Sequence, residues 1–448
     1  MDLTLQLHHG GAWHDAAVVE IKDPSRGVRG ATTATYDDAY FLDHGAESIA
    51  GGVAVHDERA ISVLAPIDLE IRNYRTWPPF LLDLMPQGHA RRRLSEAMGI
   101  DADAAASELP LLLRAAGAPF GNLRIKEAYE AERDRLTEWA SVPGVTMDEM
   151  LHRSERFQEV ADMYALVASG SSGHQGEWPK ITMTRATDGL WYPDPIVPDD
   201  EAVEHVLVKL LRSNEESDRL ILESEAAYVG IAAAFGVRVH AVPTYGHASL
   251  VIPRFDRLPG PGSVFRFGQE SVVSAIGIAA FGHTEAHETY LEMLRGVSSD
   301  PESDVAEYVL RDALNLAMGN PDNHGRNTAL SKGGSGGIRL SPLFDFAPMR
   351  LAPADRGRPT KWACMRSAGS DHDPDWRAVC AAAAGRLDAG PIEDLLLSKL
   401  DLFRRLPELA AEHGVPAKVI EMAISRQSRQ VADGIAALER PRSMPGGR

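Results

Sequence analysis

The sequence is poor in cysteine and has no long apolar run. Its 448 residues include only two cysteines, Cys364 and Cys380. Two cysteines in a chain of this length argue against a disulfide framework and a cysteine-rich zinc site, and they fit a reducing cytoplasm. No stretch of eighteen apolar residues occurs, so no transmembrane helix is predicted. The first residues have neither a basic region nor an apolar segment, and we expect no signal peptide.

Positive charge is scarce too, and several common enzyme motifs are missing. Lysine and arginine number 46 against 64 aspartate and glutamate residues, which gives a formal net charge of −18. A surface of that sign argues against a broad nucleic-acid interface and leaves Arg91–Arg93 as one local basic patch. No HExxH helix and no internal repeat occurs. Residues 333–337 match G-x-S-x-G, but they lie in a predicted hairpin turn and not in the strand-to-helix elbow of a hydrolase. The sequence therefore argues against a catalytic zinc and against a hydrolase with a nucleophile elbow.

Three polar residues in the segment 320–348 carry the strongest functional pattern of the chain. Asn327 follows Asp322 by five residues, and Asp345 follows Asn327 by eighteen. In a phosphoryl-transfer site an aspartate accepts the proton of the attacking hydroxyl, and an asparagine with a second aspartate holds Mg²⁺ against the nucleotide phosphates. Oxygen ligands suit Mg²⁺ because it is a hard ion. The sequence Asp-Phe-Ala that begins at Asp345 also resembles the metal-binding Asp-Phe-Gly of protein kinases.

A lysine in an apolar segment supplies the cation that such a site needs. Lys209 lies in the predicted apolar strand 206–211, and a lysine is rarely buried in such a strand unless it has a partner of opposite charge. The predicted helix 223–235 carries Glu225, sixteen residues after Lys209, and a strand lysine paired with a glutamate of the next helix positions phosphates in kinases. Glu223 is an alternative partner. Alternatively, Lys209 lies at a strand edge with its ammonium group in water.

Other candidate residues also have structural interpretations. Asn-Pro-Asp-Asn-His is a good turn sequence, and an Asx turn alone would explain Asp322. His324, between the base and the metal ligand, either contacts phosphate or hydrogen-bonds the loop backbone. The glycine/serine segment 169–173 has no Walker-A spacing. It is either a flexible linker or a loop whose backbone N–H groups cover phosphates.

The chain divides into a strand-rich part, a mixed part and a helical part, followed by a short disordered tail. We predict a β-rich domain with helices at residues 1–145 and a small lobe with the glycine/serine loop and the lysine strand at residues 146–270. A helical catalytic lobe at residues 271–440 and the tail at residues 441–448 follow. An amphipathic helix is predicted over 148–168 and a hairpin around the glycine-rich turn 333–337. This order predicts an α+β fold with the two-lobed layout of a protein kinase.

These parts, in this order and over nearly the whole chain, resemble the HipA family of serine/threonine kinase toxins. Residues 320–327, Asn-Pro-Asp-Asn-His-Gly-Arg-Asn, are similar to the family's D-x-H-x-x-N catalytic segment. Residues 342–345, Pro-Leu-Phe-Asp, are similar to its P-x-[YF]-D metal segment. Corroborating similarities lie in the glycine loop (173–180), the hinge segment (251–257) and a Gln-Glu pair (269–270). Two more lie in an N-terminal helix (80–94) and the turn after it (121–123).

The resemblance implies a protein-kinase-like, HipA-like fold with a β-rich N-terminal subdomain and an all-helical C-terminal lobe. It also implies ATP and Mg²⁺ as cofactors. By position, Asp322 is the base, Asn327 and Asp345 hold Mg²⁺, and Lys209 holds phosphates. The same carry-over assigns further residues to the nucleotide: Ser172 and Gly173 in the loop, Arg254 and Phe255 at the adenine hinge, and Gln269 and His324 close by.

The family also implies partners and a regulatory mechanism. Its best-known members phosphorylate an aminoacyl-tRNA synthetase and stop growth, and a small DNA-binding antitoxin of the HipB type restrains them. The resemblance therefore implies a cytoplasmic kinase toxin with a helix-turn-helix antitoxin and with nucleic acid contacted only through that antitoxin. Family members autophosphorylate a serine of the glycine loop, which ejects the loop and ends ATP binding. Ser171 and Ser172 are the candidates for this modification.

Three departures from the family pattern motivate a second hypothesis. Residues 176–179, Gly-Glu-Trp-Pro, form an apparent insertion before Lys180. Gly170 stands where some members have serine, and Pro253 stands in the hinge where an acidic residue is common. An ATP-binding regulatory partner of a DNA-binding antitoxin, with little kinase activity, is therefore the alternative function. A kinase for a small molecule is a third hypothesis.

Overall fold

The computed structural model describes residues 1–46, 55–137, 142–167, 178–334, 337–352, 357–365 and 373–439. Two compact units are present. Unit 1 comprises Met1–Asn214, Pro243–His283 and Ala329–Ser341, and unit 2 comprises Glu215–Val242, Thr284–Thr328 and Pro342–Arg448. The predicted domain boundaries at residues 145 and 270 stay a prediction. The predicted disordered tail, 441–448, lies outside the described residues.

The first sheet of unit 1 has five antiparallel strands in the order β4-β3-β2-β1-β5. They are β1 Asp2–His9, β2 Ala12–Ile21, β3 Thr32–Tyr36, β4 Arg72–Tyr74 and β5 Leu123–Ile125. Leu3, Leu5 and Leu7 are fully buried, because alternate residues of β1 point to the same side of the sheet. Gly10 and Gly11, with φ of 58° and 83°, form the two-residue turn between β1 and β2.

The second sheet of unit 1 has the order β7-β6-β8-β10-β9 and holds the predicted lysine strand at its centre. Its strands are β6 Lys180–Ala186, β7 Trp191–Pro193, β8 Ala202–Leu210, β9 Thr244–Gly246 and β10 Ser249–Pro253. Lys209 is opposite Lys180 of β6 and Leu250 of β10. The predicted strand 206–211 is therefore the end of a longer central strand.

Two smaller antiparallel sheets complete the strands of the described residues. β11 Arg257–Gly260 pairs with β12 Ser263–Arg266, and β13 Gly268–Ser271 pairs with β14 Ala329–Lys332, which also pairs with β15 Ile338–Leu340. The last pair confirms the hairpin that the glycine-rich turn 333–337 predicted.

The helices are distributed over both units. In chain order they are α1 Asp38–His44, α2 Gly88–Met98, α3 Glu108–Ala115, α4 Lys126–Thr137, α5 Met147–Leu151, α6 Glu155–Val167, α7 Glu216–Ala234, α8 Val272–Ala275, α9 His287–Val297, α10 Pro301–Ala317, α11 Trp376–Ala384, α12 Gly390–Ser398, α13 Leu400–Arg404, α14 Leu406–Glu412, α15 Ala417–Val419 and α16 Ser425–Ala436. Short 3₁₀ segments are Pro24–Arg29, Pro79–Leu84, Ala105–Ser107, Asp194–Ile196, Met349–Leu351, Ala363–Met365 and Ala437–Glu439, and one π segment is Ile420–Ile424.

The helix predicted over 148–168 is two helices, α5 and α6. Arg153, between them, has a left-handed backbone with φ of 49°, which ends the first helix. Thr146 and Glu149 form a capping box that starts α5 at Met147. The prediction of one continuous helix was wrong because the apolar spacing runs across the break without change.

Unit 2 is built around α10, which is buried along most of its length. Val305, Val309, Ala313 and Leu314 are at most 1% exposed, and the helix contacts α9, α11, α12 and α16. Every strand that the structure describes lies in unit 1, whereas the described part of unit 2 is helical. The fold is therefore α+β, with a helical part that carries the predicted catalytic segment.

Candidate active site

The segment 318–328 leaves the end of α10 and carries two of the predicted catalytic residues. Gly319 has a φ of 64° there, and the backbone N–H of Asn320 donates to the carbonyl of Asn315 at 2.8 Å. The Nδ2 of Asn320 donates to Asn315 Oδ1 at 2.8 Å, and its Oδ1 accepts from the backbone N–H of Asp322 at 3.3 Å. The buried helix therefore fixes the backbone of Asp322 through Asn320.

Asn327 is tied to Asp322 within the same loop. Its Nδ2 donates to the backbone carbonyl of Asp322 at 2.9 Å, and its backbone N–H donates to the carbonyl of His324 at 2.8 Å. Because the amide nitrogen is engaged with the backbone, Oδ1 of Asn327 is the atom available to a cation.

Asp345 has a left-handed backbone with φ of 52°, a conformation that costs most residues energy and that concentrates at functional sites. The backbone N–H of Leu343, two residues earlier, donates to the carbonyl of Arg238 at 2.8 Å. The buried ring of Phe346, one residue later, lies 5.5 Å from the ring of Tyr228 on α7. The chain is thus anchored on both sides of Asp345.

Asp322, Asn327 and Asp345 line one cavity of unit 2, with about 450 Å³ of empty space. The other lining residues come from α9, α10 and the adjoining loops: His287, Tyr308, Arg311, Asp312, Asn315, Asn320, Asn323, Thr328, Leu343, Phe344 and Phe346. The structure brings the predicted trio together. Its carboxylate and amide oxygens are the donor set that fits Mg²⁺.

His324 stands beside the predicted base. Its Nε2 lies 3.6 Å from Oδ1 of Asp322, and the two side chains are 37% and 19% exposed, so both reach solvent. The Nδ1 of His324 accepts the backbone N–H of Arg326 at 3.3 Å. The proton of a neutral His324 ring therefore sits on Nε2, next to the carboxylate. Of the two roles considered for this histidine, the bond to the loop backbone is present.

A buried polar cluster that the sequence did not reveal lies against the loop. Asp312 of α10 is 2% exposed, pairs with Arg358, accepts from Nε1 of Trp362 at 2.9 Å and lies 3.4 Å from Nε2 of His287. Burial opposes ionisation of Asp312, but Arg358 and His287 outweigh that effect and lower its pKa. The carboxylate is therefore ionised and fully paired inside unit 2.

Asn323 connects this cluster to the catalytic segment. It follows Asp322 directly, its Nδ2 donates to the carbonyl of Thr360 at 3.0 Å, and its Oδ1 accepts the backbone N–H of Thr360 at 3.2 Å. This contact has no signal in the sequence, because Thr360 and Asn323 have no characteristic spacing and the partner group is backbone.

A second cavity, with about 750 Å³ of empty space, shares Asn315 and Asn320 with the first. Its described lining includes three guanidinium groups and no carboxylate; these residues are Arg350, Arg358, Arg426, Asn315, Asn320, Gln427, Gln430, Leu316, Gly319, Pro321 and Val431. The catalytic segment therefore adjoins a carboxylate-lined space and a guanidinium-lined space.

Lys209 is buried in β8 of unit 1, with only 1% of its surface exposed. Its Nζ lies 5.4 Å from the ring centroid of Trp178, and the guanidinium carbon of Arg212 lies 5.0 Å from the same centroid. This burial in a central strand rules out the alternative of a strand-edge ammonium group in water. Trp178 belongs to the segment that departs from the family pattern, so that departure contacts the predicted phosphate lysine.

The two glutamates considered as lysine partners lie on α7 in different environments. Glu225 is 2% exposed, whereas Glu223 is exposed. Only Glu225 therefore has its side chain in the interior of unit 2. Its pairing with Lys209 stays a prediction.

The side chain of Arg254 lies in a buried ion cluster of unit 1. Its Nε donates to Oδ1 of Asp256 at 2.8 Å, and NH1 donates to Oδ2 of Asp194 at 3.2 Å. The guanidinium carbon is 4.2 Å from the ring centroid of Phe120. Burial opposes ionisation of Asp194, but Arg257 and Arg254 hold its pKa well below the ordinary value. Because the guanidinium already donates to Asp256 and Asp194, any contact between Arg254 and adenine would be made by the Arg254 backbone.

Gln269 of β13 has one amide atom engaged and one without a partner. Its Nε2 donates to Ser331 Oγ at 3.0 Å, whereas its buried Oε1 accepts no hydrogen bond within the described part of the chain. A buried acceptor in that state is costly, so Oε1 is suited to accept from a ligand. Phe255 is partly buried. The loop residues of the prediction lie outside the described residues: Ser171, Ser172 and Gly173.

A family model described as the HipA-like C-terminal domain matches residues 172–422, more than half of the chain. The chain belongs to the HipA-like C-terminal domain family. The matched region contains Lys209, Asp322, Asn327 and Asp345, so the resemblance predicted from the sequence is confirmed.

Individual proteins are similar to this HipA-like chain over different lengths. "Putative kinase Y4mE" of Sinorhizobium fredii is 33% identical over 134 residues, which span 28% of this chain and 31% of that protein. A chain of the Shewanella oneidensis MR-1 toxin–antitoxin complex of HipA, HipB and operator DNA matches with a TM-score of 0.58 and 15% identity, over 97% of this chain and 95% of that one. The Helicobacter pylori proinflammatory kinase CtkA matches with a TM-score of 0.33 and 14% identity, over 53% of this chain and 92% of that one.

The likeness to the Shewanella chain extends over nearly the full length of both chains. Together with the family match, it confirms the predicted HipA-like α+β fold, and at 15% identity it concerns the fold alone. Among the described residues, no helix has both the length and the apolar character needed to cross a membrane.

Proposed function

We propose that this HipA-like protein is a kinase that transfers the γ-phosphate of ATP to a serine or threonine hydroxyl of a protein. The observation that carries the proposal is the cavity that collects Asp322, Asn327 and Asp345. A base and two oxygen ligands around one space are the groups that phosphoryl transfer requires from the protein. The relative named "Putative kinase Y4mE" supports the same class of activity.

Asp322 is assigned as the general base that accepts the proton of the attacking hydroxyl. Asn320 holds its backbone N–H and Asn327 holds its carbonyl, so the side chain extends from a fixed position. A general base contributes about 10²–10⁴-fold to a rate. His324, whose Nε2 lies 3.6 Å from the Asp322 carboxylate, is assigned to a position near the nucleotide.

Asn327 and Asp345 are assigned as Mg²⁺ ligands through Oδ1 and the carboxylate. When bound, Mg²⁺ neutralises charge on the phosphates of the nucleotide. The bond from Asn327 Nδ2 to the loop orients its oxygen before any ion is present. The anchored, left-handed backbone of Asp345 does the same for the carboxylate.

The nucleotide itself is assigned to residues of the predicted small lobe. Lys209 supplies a buried ammonium group for phosphates, and Oε1 of Gln269 supplies an acceptor. Arg254 contributes through its backbone, next to the ring of Phe255. The remaining assignments are the loop residues Ser172 and Gly173 and the lysine partner Glu225.

The wider biological role follows from the family and is part of the same proposal. The kinase inhibits growth as the toxin of a toxin–antitoxin pair, and its substrate class includes an aminoacyl-tRNA synthetase. A HipB-like helix-turn-helix antitoxin is its partner and the route to DNA, as the likeness to a chain of the HipA, HipB and operator DNA complex supports. Phosphate on Ser171 or Ser172 adds about −1.5 to −2 charge beside the ATP phosphates and switches the kinase off.

A labelling experiment tests the proposal. The purified chain is incubated with γ-labelled ATP, Mg²⁺ and a lysate of the host, and labelled proteins are identified by mass spectrometry. We expect label on serine or threonine of at least one lysate protein and on Ser171 or Ser172 of the chain. A thermal-shift titration with ATP runs beside it.

One observation favours a second candidate function. Trp178, from the segment that departs from the family, packs on Lys209 and thereby occupies one side of the phosphate lysine. An ATP-binding regulator of the antitoxin with little turnover would tolerate this contact. ATP binding in the thermal-shift titration without label on any protein would support the regulator and contradict the kinase.

A further inference from the structure

Three histidines form a cluster in unit 1 and have no part in the proposed phosphoryl transfer. His9 ends β1, His14 lies in β2, and His44 ends α1. The turn at Gly10 and Gly11 sets the strand register that pairs His14 with Leu7. Since Leu7 and His9 are two residues apart on one strand, His9 and His14 share a face of the sheet.

The imidazole rings are close enough to share one ion. One ring nitrogen of each histidine lies within 4.8 Å of a ring nitrogen of the other two. Ring centroids are 4.2 Å apart for His9 and His14, 4.6 Å for His9 and His44, and 5.5 Å for His14 and His44. A tetrahedral ion with Zn–N bonds of about 2.0–2.1 Å holds its nitrogens about 3.3 Å apart. Side-chain rotation of His14 and His44, which are only partly buried, closes that difference.

Hydrogen bonds determine which nitrogen of His9 is left for a ligand. The hydroxyl of Tyr40 donates to the carbonyl of Arg59 at 2.7 Å, so its oxygen accepts from Nε2–H of His9 at 3.1 Å. The lone pair of His9 is therefore on Nδ1.

His14 is oriented in the same way. Its Nε2 lies 3.3 Å from the backbone carbonyl of His9, which can only accept, so the proton of His14 is also on Nε2. Metal-binding histidines characteristically donate their second ring N–H to an oxygen in this manner. In two of the three rings the Nε2–H thus already has an oxygen acceptor, and the lone pair is on Nδ1.

The charge state of the cluster agrees with this geometry. Burial, together with the neighbouring rings of His14 and His44, lowers the pKa of His9 to about 4. Burial also lowers the pKa of His44. Neutral imidazole is the form that binds metals.

We propose that His9, His14 and His44 bind one Zn²⁺ ion, with water as the fourth ligand. Three imidazoles suit a first-row transition metal, and zinc is the one without redox chemistry. Among the described residues the cluster contains no carboxylate, and carboxylate oxygens are the ligands that Ca²⁺ and Mg²⁺ prefer. The ion joins the β1–β2 hairpin to the end of α1. Because an ion bound by the folded state alone stabilises that state, its role is to stabilise the N-terminal sheet. This site stands independently of the proposed kinase activity.

The test uses the full chain without a histidine tag, stripped of metal with a chelator and then titrated with Zn²⁺ alone. The comparison variants are the double variant His14→Gln/His44→Gln, the variant Tyr40→Phe, and His247→Gln, which removes an exposed histidine outside the cluster. We measure zinc bound per chain, the unfolding temperature with and without zinc, and the zinc-edge X-ray absorption spectrum.

We expect one zinc per chain, three nitrogen ligands at about 2.0–2.1 Å, and a rise in unfolding temperature with zinc. The double variant should lose binding while its metal-free unfolding temperature stays close to that of the metal-free wild type. Tyr40→Phe should bind about 10–100-fold more weakly, because the orienting acceptor is gone. His247→Gln should bind like the wild type. Equal zinc uptake by the wild type and the double variant would overturn the proposal, as would an equal loss in His247→Gln.

Discussion

The side chains assigned to catalysis extend from backbone that other residues hold in place. Asn320 and Asn327 bind the two backbone groups of Asp322, and the chain around Asp345 is anchored on both sides. Such groups lose little further freedom when a ligand arrives, and that is how fixed positioning contributes to rate. Substitutions that keep the backbone and change only the side-chain chemistry are therefore the informative ones.

Asp345→Asn should keep the fold and weaken the response to Mg²⁺. Asparagine tolerates the left-handed backbone at φ of 52° about as well as aspartate does, so the unfolding temperature should stay near that of the wild type. The loss of the carboxylate charge should raise the Mg²⁺ concentration for half-maximal phosphate transfer at least about tenfold. A Mg²⁺ titration of labelling activity measures this.

Asp345→Val is the matched comparison for the backbone. A β-branched residue in the left-handed region is strained, by about 1–3 kcal/mol, and should lower the unfolding temperature where Asp345→Asn does not. If Asp345→Asn needed the same Mg²⁺ concentration for half-maximal phosphate transfer as the wild type, the assignment of Asp345 as a Mg²⁺ ligand would be contradicted.

Residue types and spacing were enough to predict that Asp322, Asn327 and Asp345 lie together, because the three residues are on two short segments with few possible spacings. They did not predict the pairing of the Arg254 guanidinium with Asp194 and Asp256 inside unit 1. Nor did they reveal Asp312, whose partners come from distant parts of the chain. Pairing inside a core depends on tertiary contacts that carry no local pattern.

Helices α9 and α10 form the support of the catalytic segment through a buried histidine. His287 stacks on Trp362 with centroids 4.5 Å apart, and its Nδ1 lies 2.9 Å from the hydroxyl of Tyr308. Burial, with a contribution from Arg358, lowers the pKa of His287 to about 4, although Asp312 acts in the opposite direction. The folded protein therefore keeps this ring neutral at pH values where the unfolded chain protonates it.

Stability should consequently fall as the pH drops from about 6.5 to about 4. In that range His287 is protonated in the unfolded chain but not in the folded chain, and this difference favours unfolding. The contribution of the neutral His287 ring to the free energy of unfolding is therefore complete above pH 6.5. The size is on the order of 3 kcal/mol over the whole range. The measurement is the free energy of unfolding in urea between pH 7 and pH 4 for the wild type and His287→Gln.

His287→Gln should show a smaller loss over this range, and the exposed His247→Gln should match the wild type. His8 and His9 contribute with the same sign, since burial lowers the pKa of each, to about 3 and about 4, so a residual slope is expected in both variants. Because the pKa of Asp312 is lowered in the folded chain, its contribution to stability is lost only below the ordinary pKa of an aspartate, outside the range of pH 7 to pH 4. Identical slopes in the wild type and His287→Gln would contradict the assignment.

Elements were predictable where a local pattern decides them. The hairpin of β14 and β15 followed from its glycine-rich turn. The break between α5 and α6 depends on the left-handed backbone of Arg153, a residue type that rarely adopts it. The continuation of β8 back to Ala202 depends on its pairing with β6. Neither feature has a local signal in the sequence.

For the molecule as a whole, the order of segments predicted the α+β, HipA-like class. The strands of the described residues gather in unit 1 and the described part of unit 2 is helical, as the passage from strand-rich to helical sequence indicated. Unit 1, however, includes Pro243–His283 and Ala329–Ser341, which return to it after unit 2 has begun. Composition along the sequence carries no signal for such returns, because it describes neighbours in sequence and not contacts in space.

The two proposed sites belong to different units and rest on different chemistry. The cavity proposed for phosphoryl transfer lies in unit 2 and offers carboxylate and amide oxygens, whereas the histidine cluster lies in unit 1 and offers imidazole nitrogens. Loss of the zinc site should therefore appear as lost stability of the N-terminal sheet. Loss of the cavity residues should appear as lost phosphate transfer.

The central claim, that the cavity of unit 2 transfers phosphate, is tested most directly by Asp322→Asn. Phosphate transfer from γ-labelled ATP and ATP affinity are measured together for the wild type, for Asp322→Asn and for Asp433→Asn, which alters an exposed aspartate of α16. We predict that Asp322→Asn lowers the transfer rate about 10²–10⁴-fold while ATP affinity and unfolding temperature stay close to the wild type, and that Asp433→Asn changes none of them. Equal phosphate incorporation by Asp322→Asn and the wild type would contradict the claim.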